Sequence, residues 1–471
     1  MKLNNLTIKT ARKGLKNKQF SSVELVAAYL EQIKAKNLNL NAFITVCEKE
    51  ALEQAKAADE LIKAGQDLPL LGVPIAVKDI FSTKGIKTTA ASNVLSDYIP
   101  QYDATVIDKL KNAGAIIIGK TNLDAWAHGS SGENSDFGPV KNPWNEEYVP
   151  GGSSSGSAVS VASGMSIAAT GTDTGGSIRL PASFNNLVGI KPTYGRVSRY
   201  GIIAMASSLD SIGHFTKTVE DSAIFLNVTA GQDKLDATTP EVAVPNYLED
   251  LNKGIRGLKI GVPREYTDAK AVEPEVLNDF KTSLKVLEKL GAEIIDISLP
   301  NTEYGIAVYY IIQPAEVSSN LARYDGIRYG NDRSAFGNEA KRRIMLGTFT
   351  LSVGYFDAYY KKAMKVRTLI INDFEQAYKK VDAIISPVSP TTPWKIGEKV
   401  NDPLSMYLSD VLTVNCNLAG IPGLSVPSGF IKGLPIGVQF LGPKFSEELL
   451  FRIGHAFEQE TRFFEKSAYE L

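Results

Sequence analysis

The chain has 471 residues, of which 44% are hydrophobic, and its formal net charge is −1. This length and apolar content suffice for a large core, and the near-zero charge gives no electrostatic basis for binding nucleic acid or a membrane surface. Two cysteines and no CxxC motif favour a reducing compartment. No run approaches about 18 apolar residues, and no apolar stretch follows the first basic residues, so we expect a cytoplasmic protein without a secretory signal.

Histidine is scarce, since it occurs at positions 128, 214 and 455 alone. None of these histidines has metal-ligand spacing with another, so the sequence predicts no metal site. A Ser-His-Asp hydrolase would have to use one of the three. If the protein is a hydrolase, we therefore expect a base other than histidine.

The N-terminal portion, residues 1–65, has the pattern of helices that pack on a core. Ser21 and Glu24 have the spacing of a capping box, which predicts a helix that begins at this point. A second helix is predicted from Glu48 to Ala64, where Gly65 suits the position after a helix end.

From residue 71 onward, short apolar runs alternate with helical patterns. Such alternation predicts an α/β fold with a mixed sheet. The predicted strands are 71–77, 115–118, 167–170, 258–262, 293–297 and a hairpin of 423–430 with 436–441, and the predicted helices are 105–113, 276–290 and 447–460. We predict one domain over 1–471, made of the N-terminal portion, a core at 71–235 and a remainder at 253–471. The segment 236–252 is the loosest connection.

Residues 114–121, GAIIIGKT, match the Walker A pattern. A phosphate-binding loop requires free backbone amides that follow a strand and open a helix. Here the residues between the two glycines are themselves predicted to be the strand, and three of them are isoleucines with stiff side chains. The sequence therefore disfavours nucleotide binding at Lys120.

Residues 151–182 contain two clusters of Gly, Ser and Thr on either side of a run of small apolar residues. A flexible linker would not carry this apolar run. We interpret the stretch as two turns, each presenting a serine. In the second turn the amides of residues 174–177 are able to form an oxyanion hole beside Ser177. An alternative is that Ser177 caps the next helix, because serine is a good N-cap, and this motif alone leaves both readings open.

A nucleophilic serine needs a base, and lysine serves only when burial lowers its pKa. Lys78 ends an apolar run, so it is a candidate for burial, although most lysines are solvated. A serine from the group 153–155 would then relay the proton between Lys78 and Ser177.

Four segments together resemble the amidase signature family: GVPIAVKD at 72–79, GGSSSGS at 151–157, GTDTGGSIR at 171–179 and PA at 181–182. The resemblance implies the fold of that family, in which helices cover both faces of a large mixed β-sheet. It also implies that Ser177 is the nucleophile, Lys78 is the base, and Ser153 is the relay and follows a cis peptide bond. Thr174, Gly175 and Gly176 would supply the oxyanion hole.

Further segments resemble the glutaminase subunits of tRNA-dependent amidotransferases within that family. These segments are 191–201, 209–213, 319–329, 341–348 and 403–410. The resemblance implies a heterotrimer in which this chain hydrolyses glutamine and passes ammonia to a B subunit. That subunit would convert Glu-tRNA(Gln) to Gln-tRNA(Gln) with ATP and Mg, would make most contacts with the tRNA, and would be joined by a small C subunit. No cofactor is expected in this chain.

The same resemblance implies residues that hold glutamine. Arg343 would bind the α-carboxylate, Asp410 the α-ammonium, and Tyr309 would add a hydrogen bond. The doubled residues Tyr309-Tyr310 and Arg342-Arg343 leave the register of two of these assignments open.

Gly129 is implied in the same pocket, and His128 lies beside it. The sequence leaves open whether His128 shapes the pocket or is a satisfied histidine without a role there. Two alternative functions also stay open, a stand-alone amidase for small amides and a non-catalytic scaffold in a larger assembly.

Overall fold

The computed structural model describes residues 2–267, 272–327 and 330–468. None of the helices in these ranges is both long enough and apolar enough to cross a membrane. The helices are α1 (Ile8–Lys16), α2 (Ser22–Leu40), α3 (Glu48–Lys63), α4 (Thr105–Asn112), α5 (Ser155–Ala162), α6 (Arg179–Phe184), α7 (Val219–Thr229), α8 (Pro274–Lys289), α9 (Gly305–Leu321), α10 (Asn338–Thr350), α11 (Lys362–Ala377), α12 (Pro403–Leu408), α13 (Val414–Ala419) and α14 (Glu447–Thr461). The strands are β1 (Phe43–Val46), β2 (Pro74–Lys78), β3 (Ile116–Thr121), β4 (Ala168–Asp173), β5 (Val188–Lys191), β6 (Ser211–Thr216), β7 (Lys259–Pro263), β8 (Glu293–Ile297), β9 (Ala383–Pro387), β10 (Gly423–Ile431) and β11 (Leu434–Leu441).

All strands of the described residues join one sheet in the order β1-β3-β2-β4-β6-β5-β10-β11-β9-β7-β8. β2 pairs in parallel with both β3 and β4, and β7 pairs in parallel with both β8 and β9. The remaining pairs are antiparallel. The mixed α/β sheet predicted from the sequence is confirmed.

Helices cover both faces of the sheet, as predicted. Along β3, Ile117 packs into one hydrophobic cluster, whereas Ile116 and Ile118 pack into another. Successive side chains of a strand point to opposite faces, so the two clusters are the cores above and below the sheet. Apolar residues of α2, α3 and α5 fill one core, and those of α4, α7, α8 and α14 fill the other.

The predicted local signals are found in the N-terminal helices. The Ser21 side chain accepts the amide of Glu24, and the Glu24 carboxylate accepts the amide of Ser21, which completes the capping box before α2. α3 ends at Lys63, and Gly65 follows with a φ of +82°.

The predicted loose connection, 236–252, contains no helix or strand, although other residues hold it in place. Arg196 donates to the carbonyls of Val242 and Ala243, and the amide of Arg199 donates to Asp236. The connection is irregular but tied to the core.

The Walker A match does not form a phosphate-binding loop. Lys120 lies inside β3 and is fully buried. Its ammonium donates to the Phe81 carbonyl (2.9 Å) and the Thr88 hydroxyl (2.5 Å), and it lies 3.2 Å from an Asp79 oxygen. This lysine is fully occupied by structural contacts, in agreement with the interpretation from sequence.

Candidate active site

Lys78 is the last residue of β2, a central strand, and its side chain is fully buried. Its Nζ lies 2.9 Å from Ser153 Oγ, 2.9 Å from Ser154 Oγ and 2.8 Å from Thr172 Oγ1. The end of the strand therefore places the Lys78 amine within hydrogen-bond distance of three hydroxyl groups. The structure brings together Lys78 and Ser153, two of the residues predicted to act in catalysis.

The environment of Lys78 favours the neutral amine. Burial lowers its pKa from 10.5 to about 7, against the opposing influence of the nearby carboxylates of Asp124, Asp210 and Asp173. A lysine with this pKa is partly neutral at physiological pH, and only the neutral amine can accept a proton. The geometry and the pKa both suit Lys78 for the role of a general base.

Ser153 follows a cis peptide bond from Gly152, as the resemblance implied. The Gly152 amide donates to the Ser130 carbonyl (2.9 Å), and the Ser153 carbonyl accepts the Asp124 amide (3.1 Å). A Cβ on Gly152 would run into the carboxylate of Asp124, so only glycine fits there. Contacts on both sides therefore fix the peptide that carries Ser153.

Ser177 lies in the turn that follows β4. Its carbonyl accepts the amide of Ser154 (3.3 Å), which places the turn beside the serines around Lys78. Of Lys78, Ser153 and Ser177, Ser177 alone is partly accessible, with 8% of its surface exposed. The alternative role of helix cap is wrong, because α6 begins at Arg179 and its N-cap residue is Ile178, without a side-chain cap.

The amides of residues 174–177 donate to no acceptor within the described ranges of the chain. Gly176 has a φ of +143°, which favours glycine. A Cβ on Gly175 would lie 2.7 Å from Cζ of Tyr309, so this position also needs glycine. Unpaired amides in a tight turn are the donors that an oxyanion requires.

Buried hydrogen bonds and one ion pair hold the turn that carries Ser177. Arg179 donates through Nε and Nη2 to the two carboxylate oxygens of Asp173, each at 3.1 Å. Burial alone would raise the pKa of Asp173, but Arg179 outweighs it and lowers the pKa to about 2. Asn417 donates to the same carboxylate (2.9 Å), and the Thr174 hydroxyl donates to Asp210 (2.7 Å).

Asp410 lies across the site, just after the end of α12, and its carboxylate is buried. Ser130 donates to both of its oxygens, at 2.8 and 3.0 Å, and the Tyr310 hydroxyl donates to one of them at 3.1 Å. Burial raises the pKa of Asp410 to about 7, although these two hydrogen-bonding partners favour the ionised form. A cation bound next to this carboxylate would lower its pKa again.

Arg343 rather than Arg342 is the buried member of the arginine pair. Arg343 donates through Nε to Glu339 (2.8 Å) and through Nη1 to Gln313 (3.0 Å). The other terminal nitrogen, Nη2, has no hydrogen-bond partner among the residues that the structure describes. Arg342 is exposed and pairs with Glu339. Both arginines line the cavity described below, and the substrate-binding role of Arg343 stays a prediction.

Both tyrosines of the doubled motif lie at the site. Tyr309 is buried against Gly175 of the turn, whereas Tyr310 bonds to Asp410 and stacks on Tyr407 at 3.9 Å. Adjacent residues on a helix are about 100° apart, so both can border one site. The sequence leaves Tyr310 open as the alternative to Tyr309, but it does not single out Ser130 or Tyr407. Of these two, Ser130 has the clearer sequence signal, because it is next to Gly129.

A cavity of about 550 Å³ opens beside Arg343 and Tyr310, and this volume is within the range of small-molecule sites. Ser130 and Tyr310 line it and both donate to Asp410, which lies behind them. Gly129, predicted to border the substrate, lines it, and a Cβ on that residue would collide with the carboxylate of Asp124. The cavity is lined by Asp124, His128–Ser131, Glu133–Asp136, Tyr310, Gly337–Glu339, Arg342, Arg343, Lys399–Asn401, Pro403, Met406 and Tyr407.

The other two histidines lie elsewhere. His214 bonds through Nε2 to Ser222, and His455 bonds to Asn252. Within the described ranges, no histidine hydrogen-bonds to Lys78, Ser153 or Ser177. The side chains of Lys78 and Ser153 lie together, and the turn that carries Ser177 is bonded to the neighbouring Ser154.

Several known proteins are similar to this chain in sequence or in fold. The amidase family profile matches residues 24–451. The A subunit of the glutamyl-tRNA(Gln) amidotransferase from Thermoanaerobacter pseudethanolicus is 53% identical, and that from Carboxydothermus hydrogenoformans is 52% identical. The first alignment covers 98% of both chains, and the second covers 98% of this chain and 99% of the relative.

A solved structure of the corresponding protein from Thermotoga maritima is 44% identical and superposes with a TM-score of 0.83. The superposition covers 97% of this chain and 95% of that one. The segment 319–329, noted above for its resemblance, ends in Arg328 and Tyr329, which lie outside the described residues. The mixed sheet, the family profile and these matches lead to one conclusion: the chain belongs to the amidase family.

Proposed function

We propose that this chain is the glutamine-hydrolysing subunit of a tRNA-dependent amidotransferase. The observation that carries the proposal is a buried guanidinium, Arg343, and a buried carboxylate, Asp410, at one site beside the Lys78–Ser153 pair. A free amino acid has one carboxylate and one ammonium, so it complements these two charges. The high identity to the A subunits of two glutamyl-tRNA(Gln) amidotransferases supports the same substrate.

The reaction is acyl transfer through serine. Ser177 Oγ attacks the side-chain amide carbon of glutamine, while its proton passes to Ser153 Oγ and the Ser153 proton passes to Lys78 Nζ. The carbon–nitrogen bond then breaks, and the proton returns along the same path to the leaving ammonia. A glutamyl ester remains on Ser177. Water attacks this ester by the same proton relay and releases glutamate.

The turn that carries Ser177 stabilises the negative charge that develops on the amide oxygen. The amides of Thr174, Gly175 and Gly176 are the proposed donors, with that of Ser177 beside them. An oxyanion-hole donor is typically worth about 3 kcal/mol of transition-state stabilisation. The network around Asp173 and Arg179 keeps the turn rigid, so its dipoles need not reorganise during the reaction.

Arg343 and Asp410 position the substrate at its α-carbon. Arg343 binds the α-carboxylate and Asp410 the α-ammonium, with Ser130 and Tyr310 orienting the Asp410 carboxylate. Tyr309 closes the side next to the turn. This clamp holds the side-chain amide at a fixed distance from the anchored end, which selects for the length of glutamine.

The chain acts in a heterotrimer in this proposal. A B subunit receives the ammonia and converts Glu-tRNA(Gln) with ATP and Mg, and a small C subunit joins the two. The net charge of −1 on this chain fits a role in which the B subunit makes most of the contacts with tRNA. A cytoplasmic location belongs to the same proposal, and it fits both a tRNA substrate and the free thiols of Cys47 and Cys416.

The proposal is tested with the heterotrimer purified from cells that express all three subunits. We expect glutamine-dependent amidation of Glu-tRNA(Gln), and we expect Ser177→Ala to abolish it. The same variant should still amidate the tRNA when ammonium chloride replaces glutamine, because the step in the B subunit does not use Ser177. Ser352→Ala, at an exposed serine, is the matched control with full activity.

Two outcomes would refute the proposal. Glutamine-dependent amidation that survives Ser177→Ala would remove the nucleophile. Hydrolysis of aryl amides by the chain alone, without hydrolysis of glutamine in the complex, would support the stand-alone amidase instead.

A further inference from the structure

His128 is a buried histidine that the proposed reaction does not use. It lines the cavity beside Gly129 and has no exposed surface. Neither Nδ1 nor Nε2 has a hydrogen-bond partner among the residues that the structure describes. Buried polar side chains nearly always have such partners, so this imidazole calls for an explanation.

The backbone of His128, by contrast, is well held. Its amide donates to the Ala125 carbonyl (3.0 Å), and its carbonyl accepts from the side chain of Asn134 (2.8 Å). The loop therefore fixes the backbone from which the ring projects. Both ring nitrogens are shielded from solvent, so the side chain has to turn toward the cavity before either nitrogen can bond with a group that enters it.

The ring is neutral in this environment. Burial lowers the pKa of His128 well below 6.5, and the positive charge of Arg343 lowers it further. A neutral imidazole has one N–H donor and one acceptor nitrogen. His128 can therefore donate one hydrogen bond to an anionic group without bringing a charge of its own.

His128 and Arg343 line the same cavity. Arg343 is also the charged group that acts on the pKa of His128, whereas Asp410 is already bonded by Ser130 and Tyr310. Arg343 uses Nε and Nη1 for Glu339 and Gln313, so its Nη2 edge is the part left for an anion. Because His128 lines the same cavity as Arg343, an anion bound on that edge is the partner that the imidazole N–H lacks.

We propose that His128 is a second binding residue for the α-carboxylate of the amide substrate. Its imidazole N–H donates to one carboxylate oxygen while Arg343 holds the other. This inference rests on the proposed function, since it assumes a substrate with a free α-carboxylate. It adds a specificity determinant, because an amide without that carboxylate would leave both the imidazole and the guanidinium without a partner.

The test uses the intact heterotrimer and two substrates. Glutamine has the α-carboxylate, and 4-aminobutanamide keeps the amide and the ammonium but lacks the carboxylate. We expect His128→Leu to raise the KM for glutamine about tenfold, as the loss of a hydrogen bond to a charged group does. The kcat for glutamine should change much less, and the KM for 4-aminobutanamide should stay the same.

Two further variants separate binding from packing. His128→Gln keeps a side-chain N–H donor and should recover a large part of the KM for glutamine. His455→Leu changes a buried histidine outside the cavity and should leave both KM values unchanged. If His128→Leu does not fold, His128→Ala with external imidazole takes its place, and rescue of the glutamine KM by imidazole is the expected result.

An unchanged glutamine KM in the Leu or Ala variant would overturn the inference. So would an equal rise in KM for both substrates, which indicates packing. A wild-type complex without glutaminase activity would overturn the proposed function together with this inference. Normal wild-type activity with an unaffected variant would overturn only the role of His128.

Discussion

Lys78 Nζ lies 2.9 Å from Ser153 Oγ, and both side chains are fully buried. A neutral amine has two N–H groups and one lone pair, but it faces three hydroxyl oxygens here. The Ser154 hydroxyl donates to the Thr172 carbonyl (3.2 Å), so it can only accept from the amine. The lone pair is then available to Ser153. After proton transfer, the three N–H groups of the ammonium match the three oxygens.

Lys78 and Ser153 should therefore act as one unit. Lys78→Met and Ser153→Ala should each lower the kcat for glutamine hydrolysis by about a thousandfold or more, and the double variant should lose little beyond either single variant. Single-turnover glutamate release by the heterotrimer measures this. Multiplying losses in the double variant would show that the two side chains act independently.

The pH dependence should follow two groups that both have a pKa of about 7. Lys78 must be neutral to accept a proton, and Asp410 must be ionised to hold the ammonium. Both requirements fail as the pH falls below about 7, so kcat/KM for glutamine should fall with a limiting slope approaching two. Asp410→Asn should reduce that slope to one. A profile that is flat between pH 6 and 8 would contradict both assignments.

Asp410 should matter only for substrates with an α-ammonium. Asp410→Asn should raise the KM for glutamine tenfold or more, because a buried charge-assisted bond is lost. Glutaramate, which keeps the carboxylate and the amide but lacks the ammonium, should be hydrolysed poorly and equally by both proteins. Asp296→Asn, at an exposed position in β8, is the control. Equal losses for both substrates would indicate a structural role for Asp410.

Gly175 should tolerate no side chain. A Cβ there would lie 2.7 Å from Cζ of Tyr309, so Gly175→Ala forces the turn or the ring to move. We expect a destabilisation of about 1–3 kcal/mol and the loss of glutaminase activity. A Gly175→Ala variant with full activity and an unchanged Tm would contradict the tight packing of this turn against Tyr309.

Arg179 should be essential for stability. Arg179→Met leaves Asp173 as a buried, unpaired carboxylate, which typically costs about 3–5 kcal/mol. Adding Asp173→Asn should restore part of the loss in Tm. Lys361→Met, which breaks an exposed pair with Asp357, should cost less than about 1 kcal/mol. Comparable losses from the two single variants would contradict the importance of the buried pair.

The same ion pair has a pH signature. The pKa of Asp173 is about 2 in the folded protein, below its ordinary value of about 3.9. Its contribution to stability is therefore complete above about pH 4 and is lost as the pH falls through about 2. Acid unfolding of Asp173→Asn should depend less steeply on pH in this window than that of the wild type.

The residues proposed for catalysis can be predicted from the sequence because each lies in a short, recognisable motif. Lys78, Ser153 and Ser177 each lie in a short motif with glycine or a buried strand next to it. The strand bounds are less accurate. β4 is predicted to end at Thr170 but extends to Asp173, because Lys78 and Arg179 satisfy its polar side chains in the interior.

The substrate side is harder to predict, since its residues meet only through the tertiary fold. Ser130 and Asp410 are 280 positions apart and yet share two hydrogen bonds. No local spacing or periodicity encodes such a contact. Tyr407 lines the cavity together with Arg343, and no sequence pattern predicts this. The two residues meet only because α10 and α12 both border the cavity in the folded chain.

The residues proposed to cleave the amide bond all lie within 78–177, whereas the charged residues proposed to anchor the substrate, Arg343 and Asp410, lie in the later part of the chain. Two hydrogen bonds join these two parts of the chain near the site. Thr413 donates to the Gly175 carbonyl (2.5 Å), and Ser130 donates to Asp410. Under the proposed function, substrate selectivity can therefore change separately from reactivity. We expect that exchange of Arg343 and Asp410 would redirect the enzyme to another amide and leave Lys78, Ser153 and Ser177 in place.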